Sequence, residues 1–165
     1  DIGGFNGPTN APLLTRWMQM GVFMPIMRVH SVLDATPHWP WLFGKLAEEA
    51  IRKALELRYR LLPYHYSLAH AMHQTGSLWM RPLVMDFPGD AEAAEITTQW
   101  MDGDILVAPV VRQDNVKDVY LPSGRWYPFG GSDITLGSAP NSVISGPARL
   151  GGAAVHDEVP AFVRA

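Results

Sequence analysis

Short apolar words separated by dense turn chemistry open the chain, and their spacing predicts strand, loop, helix and strand in succession. Asp1-Ile2 is followed by Gly3-Gly4, which let a strand end turn sharply or approach a ligand closely. Phe5 sets a ring beside that turn, and Asn6-Gly7-Pro8-Thr9-Asn10 is rich in turn formers. Pro12 suits the first turn of a helix whose Leu13, Leu14, Trp17 and Met18 recur so as to bury one face. After Gly21, Val22-Phe23-Met24-Pro25-Ile26-Met27 is an apolar run closed by Arg28, as expected of a strand buried on both sides. Alternation along an extended chain then sends Arg28 and His30 to the same side. Strands, a helix and polar residues at strand ends follow the order of a (β/α) barrel, whose sites collect at the C-terminal ends of its strands.

The pattern then lengthens and later changes character. Ser31 to Phe43 reads as a loop carrying Pro37-His38-Trp39-Pro40-Trp41. Aromatic faces there could cover an apolar face of a ligand, but packing beneath the loop is the simpler expectation for Trp39 and Trp41. Gly44 to Thr75 is the longest helical stretch, with Leu46, Ala50, Ile51, Ala54, Leu57, Leu61 and Leu68 at helical intervals. Glu48 with Arg52 and Glu49 with Lys53 set acid before base one turn apart. Pro63 is expected to kink or divide this helix and Gly76 to end it. From Leu78 onward, Leu78 to Phe87, Ile105 to Val111 and Val116 to Leu121 read as strands, with one short helix within Ala91 to Trp100. Pro88-Gly89-Asp90, Pro122-Ser123-Gly124 and Gly130-Gly131 separate them, which predicts an antiparallel β-sandwich.

Composition narrows the classes. With 47% hydrophobic and 18% charged residues and a net charge of −3, the 165 residues have neither the polarity of a disordered chain nor the basic excess of a nucleic-acid binder. The longest apolar run, Met20 to Met27, is far short of the roughly 20 residues of a membrane span. The absence of cysteine excludes disulfides and thiolate metal sites and leaves the compartment open. His70 and His73 are three apart on the long helix, but with no H-E-x-x-H and no third ligand in view they predict no metal site. His65, between two tyrosines near the helix break, is expected to be a hydrogen-bonded structural residue. Asp34, Asp86, Asp102 and Asp104 fall where turn formation and solvation account for them. On the residues alone, an ordinary Arg28–Asp1 ion pair with His30 bonded to a buried carbonyl is the simpler reading of the opening cluster.

An ordered set of words changes that reading. Asp1-Ile-Gly-Gly-Phe5, Thr15 to Gly21, and Pro25 to Arg28 with His30 are followed by Leu57-Arg-Tyr-Arg-Leu-Leu-Pro-Tyr64 and Met80-Arg-Pro-Leu83. Gly103 to Pro109 and Val159 to Ala165 complete the set. Together these resemble glycoside hydrolase family 31, which includes α-glucosidases and α-xylosidases, from its seventh barrel strand onward. The resemblance implies an α/β fold: residues 1–80 as the last portion of a (β/α)8 TIM barrel, strand seven to helix eight, and residues 81–165 as a truncated β-sandwich. It implies part of a retaining exo-α-glycosidase, most simply an α-glucosidase, that acts on α-linked oligosaccharides or glycosides and needs no cofactor.

The same resemblance assigns Asp1 to the sugar subsite and Phe5 to its lining. It gives His30 a hydrogen bond to a hydroxyl of the sugar being cleaved, and Arg28 the task of holding neighbouring carboxylates. No catalytic residue is expected in this chain, because the family's nucleophile and acid/base aspartates lie on the fourth and sixth strands, before Asp1. The chain is therefore expected to be a piece of a longer polypeptide, inactive alone and ordered only with the remainder of its parent. Two departures bear on substrate subclass: the loop lacks the family's Arg-Glu-Pro-Trp word, and residue 29 is Val where Asn is frequent. Competing readings are an α-glucan lyase and a non-catalytic structural or carbohydrate-binding homologue.

Overall fold

Asn10 starts the first helix, α1 (Ala11–Gly21), because its extended backbone lets the side-chain oxygen accept the Leu13 N–H at 2.9 Å while Pro12 needs no partner. This is a computed structural model that describes residues 1–112, 116–129, 142–153 and 159–165. The chain divides into two units, residues 1–67 and 68–165. In the first, Leu14 and Met18 of α1 pack with Ile2 and Ile51, and Trp17, Met27 and Phe43 close over that cluster.

The expected strand at Val22 to Met27 does not form. The turn of α1 runs on instead, with the N–H groups of Val22, Phe23 and Met24 donating to the carbonyls of Gln19, Met20 and Gly21. The Arg58 guanidinium takes the carbonyls of Val22, Met24 and Pro25 at 2.7, 2.6 and 3.2 Å, so groups that a sheet ladder would have used are satisfied by a side chain. Val22 and Phe23 are buried, and Ile26 is exposed. Pairing is confined to a parallel bridge between Ile2 and Val29.

The long helical stretch divides as its proline requires, into α2 (Lys45–Arg60) and α3 (Leu62–Thr75), with Pro63 in the first turn of α3. Its buried stripe is Ala47, Ala50, Ile51 and Ala54, three of them in the expected pattern, while Leu46 is 82% exposed, one position off that stripe. Arg52 pairs with Glu48 at 3.0 Å as expected, and Glu49 also lies 3.8 Å from Lys45. His65 is buried, while His70 and His73 are exposed.

Among the described residues, the second unit carries a six-stranded antiparallel sheet in the order β1-β2-β3-β6-β4-β5. Its strands are β1 (Met80–Pro82), β2 (Trp100–Asp102), β3 (Ile105–Val107), β4 (Val116–Pro128), β5 (Ile144–Ala153) and β6 (Ala161–Arg164). The strand expected over Leu78 to Phe87 shrinks to β1, because the chain turns at Pro82 into a short helix, α4 (Leu83–Asp86), which buries Leu83. The short helix expected after it is α5 (Ala91–Glu95), capped by Asp90. Trp100 to Asp102, which the sequence left in a helix and its flank, is a strand, joined to β3 through Gly103 (φ +59°) and Asp104. Consecutive residues of β2 and β3 are buried, as in strands covered on both faces. Leu83, Ala93, Met101, Leu106, Val119, Leu121, Trp126 and Phe162 fill the core. The turn expected at Gly130-Gly131 lies outside the described residues.

Four aspartates do more than shape turns. Asp102 is fully buried and accepts the Trp79 indole N–H at 2.5 Å. Asp86 takes a bidentate bond from Arg81, and Asp104 pairs with Arg164 at 2.9 Å. Asp90, besides capping α5, accepts the Tyr120 hydroxyl at 2.7 Å. That bond holds the Asp90 carboxyl below its ordinary range, while burial, then Asp90, pushes the Tyr120 phenol up to about 12.

Gln99 closes a gap that strand pairing leaves. Tyr120 faces Arg149 of β5, but β6 pairs with β4 only at Trp126 to Pro128. The Gln99 amide fills the free edge: its Nε2 donates to the Tyr120 carbonyl at 2.8 Å and its Oε1 accepts the Tyr120 N–H at 2.9 Å. Gln99→Leu strands both buried peptide groups, and we expect it to cost about 2–4 kcal/mol. A lower denaturant midpoint at unchanged slope would register that loss, and an unchanged midpoint would refute it.

Candidate functional site

The opening turn is held from several directions. Ile2 N–H donates to the Arg28 carbonyl at 3.0 Å, and the Ile2 carbonyl lies 3.1 Å from Nδ1 of His38. Gly4 N–H closes the turn on the Asp1 carbonyl at 2.9 Å, and Val32 N–H donates to the Phe5 carbonyl at 2.9 Å. Gly3 and Gly4 have φ of +95° and +103°, which a side chain would resist. At Gly3 there is also no room, since a Cβ would lie 2.7 Å from Nδ1 of His38.

This frame brings the four predicted residues together as two contacts flanking the Ile2–Val29 bridge. Arg28 Nη2 lies 3.7 Å from Asp1 Oδ1, and the Phe5 and His30 rings are 5.7 Å apart, tilted by 37°. All four side chains are exposed, Phe5 by half. His30 is therefore not buried against a carbonyl; that place belongs to His38. An ionised carboxylate only accepts hydrogen bonds, imidazole can do both, guanidinium only donates, and a phenyl face covers C–H groups. Such a set fits a neutral ligand dense in hydroxyls. At 3.7 Å and half in solvent, the Arg28–Asp1 pair contributes about 0–1 kcal/mol to the fold, so both groups stay available to a ligand.

The surrounding loop differs from expectation. His38 is buried, whereas Trp39 and Trp41 are 56% and 63% exposed, with rings 5.7 Å apart. Burial goes to the imidazole because it reaches the Ile2 carbonyl, and Pro40 begins a 3-10 turn (Pro40–Phe43) that carries Trp41 outward. His38 and Arg58, which hold the turn and the segment after α1, were missed as positioning groups. Their partners lie 33 to 36 residues away, and no local pattern announces them. Among the described residues no three His, Cys, Asp or Glu side chains form a metal-ligating group, and no helix is long and apolar enough to cross a membrane.

Known proteins share this chain's pattern throughout. The model of the "Glycosyl hydrolases family 31 TIM-barrel domain" matches residues 1–68, and that of the "Glycosyl hydrolase family 31 C-terminal domain" matches residues 76–165. A 1,6-alpha-glucosyltransferase of Sporosarcina globispora is 44% identical over 146 residues, covering 83% of this chain and 11% of that protein. Lysosomal alpha-glucosidase of Rattus norvegicus is 41% identical over 145 residues, 86% of this chain and 15% of that enzyme. In structure, the dextranase of Flavobacterium johnsoniae complexed with glucose superimposes with a TM-score of 0.82 at 37% identity, over 93% of this chain and 18% of that one. The chain thus spans between about a tenth and a fifth of the length of these relatives.

Proposed function

The chain belongs to glycoside hydrolase family 31, and from that premise we propose that it forms the sugar-binding end of a retaining exo-α-glycosidase, an α-glucosidase in the simplest case. In this reading Asp1 accepts hydrogen bonds from hydroxyls of the terminal sugar, His30 bonds a neighbouring hydroxyl, and Phe5 covers the ring's C–H face. Arg28 orients Asp1 and a further carboxylate. The nucleophile and the acid/base, about 5 Å apart as retention requires, come from barrel strands outside these 165 residues. We place the boundary between barrel and sandwich near Met80, where β1 opens.

The observation that carries this reading is the convergence of Asp1, Arg28, Phe5 and His30, from segments nearly thirty residues apart, around one parallel bridge. The 1,6-alpha-glucosyltransferase relative favours one variant of it, in which a sugar hydroxyl rather than water resolves the covalent intermediate. The test is stereochemical. Proton NMR of early turnover by the complete enzyme, with a terminal α-glucoside as substrate, should show α-anomeric product first. Initial β-anomer would overturn retention, and an unsaturated sugar would assign the lyase instead.

A further inference from the structure

Four hydrogen bonds fix the turn that presents Asp1 and Phe5, and three of them join backbone to backbone. The fourth is made by a side chain. His38 is 3% exposed, its ring lies flat enough against Gly3 that a Cβ there would fall within 3.0 Å of three ring atoms, and its Nδ1 sits 3.1 Å from the Ile2 carbonyl. A carbonyl only accepts, so Nδ1 carries the proton and donates it. Nε2, the other ring nitrogen, is buried and has no partner among the described residues, so the imidazole's polar link here runs through Nδ1.

The Ile2 peptide is thereby gripped on both sides: its N–H by the segment that ends in Arg28 and His30, its carbonyl by the loop that ends in Trp39 and Trp41. We propose that His38 is a positioning residue for the sugar site, its buried Nδ1–H···O=C bond to Ile2 setting the direction in which the Asp1 carboxylate and the Phe5 ring leave the strand end. The proposal rests on the sugar-site reading above and adds to it a residue that touches no substrate. Gly3 belongs to the same device, because any larger residue would push the imidazole off the carbonyl it bonds.

The test uses the complete enzyme, an aryl α-glucoside and three kinds of variant. His38→Phe keeps a ring against Gly3 and removes the donor; His38→Asn removes the ring and keeps an N–H near the Nδ1 position. Because displacement of a binding group by about 1 Å can cost two orders of magnitude, His38→Phe is expected to lower kcat/KM roughly 10- to 100-fold, and His38→Asn to stay within about threefold of wild type. Asp1→Ala and Asp1→Ala/His38→Phe complete a cycle, in which the histidine change should add less than about threefold once the carboxylate is gone. A His38→Phe enzyme with wild-type kcat/KM, or one whose loss tracks only a lower melting temperature and persists equally in His38→Asn, overturns the proposal. If Asp1→Ala itself leaves kcat/KM unchanged, the sugar-site reading fails first and the proposal falls with it. If Asp1→Ala is impaired while His38→Phe is not, the reading stands and the positioning role alone is rejected.

Discussion

Replacing Asp1 with alanine in the complete enzyme is expected to lower kcat/KM for a terminal α-glucoside by about 10²- to 10³-fold while leaving the melting temperature nearly unchanged. The magnitude follows from two hydroxyl hydrogen bonds to an ionised acceptor, each worth about 1.5–3 kcal/mol, lost from the bound ground and transition states. The small stability change follows from geometry: the only ion pair that Asp1 makes among the described residues is the half-exposed 3.7 Å contact with Arg28, worth about 0–1 kcal/mol. Asp1→Asn preserves volume but presents N–H groups where acceptors are needed, and should fall between wild type and alanine. A variant that loses activity only in proportion to a lowered melting temperature would return Asp1 to the role of a surface ion-pair partner. His30→Ala should share the direction with a smaller loss, since one hydroxyl hydrogen bond is lost rather than two.

The parts of this fold that could be read from sequence are those whose causes are local. Asn10 and Pro12 start α1 within three residues of their own backbone partners, and Pro63 divides α2 from α3 because its missing N–H acts one turn away. The parts that could not be read depend on distant groups. Val22 to Met27 has the composition of a buried strand, and only Arg58, more than thirty residues on, makes it a turn by taking its carbonyls. Asp102 reads as a hairpin turn residue until Trp79, 23 residues earlier, is seen to bring it an indole donor at no exposure. Leu46 alone breaks the early part of the apolar pattern: Ala50, Ile51 and Ala54 are buried as their spacing suggests, and Ala47, small enough to let elements approach closely, takes the place expected for Leu46.

The site divides in the same way. Asp1, Phe5, Arg28 and His30 were visible because their words resemble a known family, and chemistry alone left them as an ion pair with a buried histidine. The structure keeps the ion pair and exchanges the histidines: His30 stands exposed beside Phe5, and His38 takes the buried carbonyl. The loop departs from the family's usual word at this position, so a resemblance gave no role to His38, and periodicity gives none to a loop residue.

Arg81→Met is the second large effect, expected to cost about 3–5 kcal/mol in the sheet unit. Arg81 donates to both oxygens of Asp86, at 2.6 and 2.9 Å, and to the carbonyls of Leu78 and Gly103 at 3.0 and 2.7 Å, so one guanidinium joins the start of β1, α4 and the β2–β3 turn. Methionine fills the stem's space but strands a carboxylate that is 10% exposed, with Arg164 at 3.5 Å as its remaining partner. The pH dependence separates this from mere packing loss. The Arg81 hydrogen bond, with added help from the Arg81 and Arg164 charges and against the opposing effect of burial, holds the Asp86 carboxyl below its ordinary range. A carboxyl whose folded pKa is depressed stabilises fully above its unfolded value, and the contribution is lost as pH falls through the folded one. The gap in denaturant midpoint between wild type and Arg81→Met should therefore keep its full size from neutrality down to about pH 4 and narrow as the pH is taken lower, where wild type gives up what the variant never had. A gap of constant size across that range would mean that Arg81 acts through its aliphatic stem and carbonyl bonds, with Asp86 a bystander.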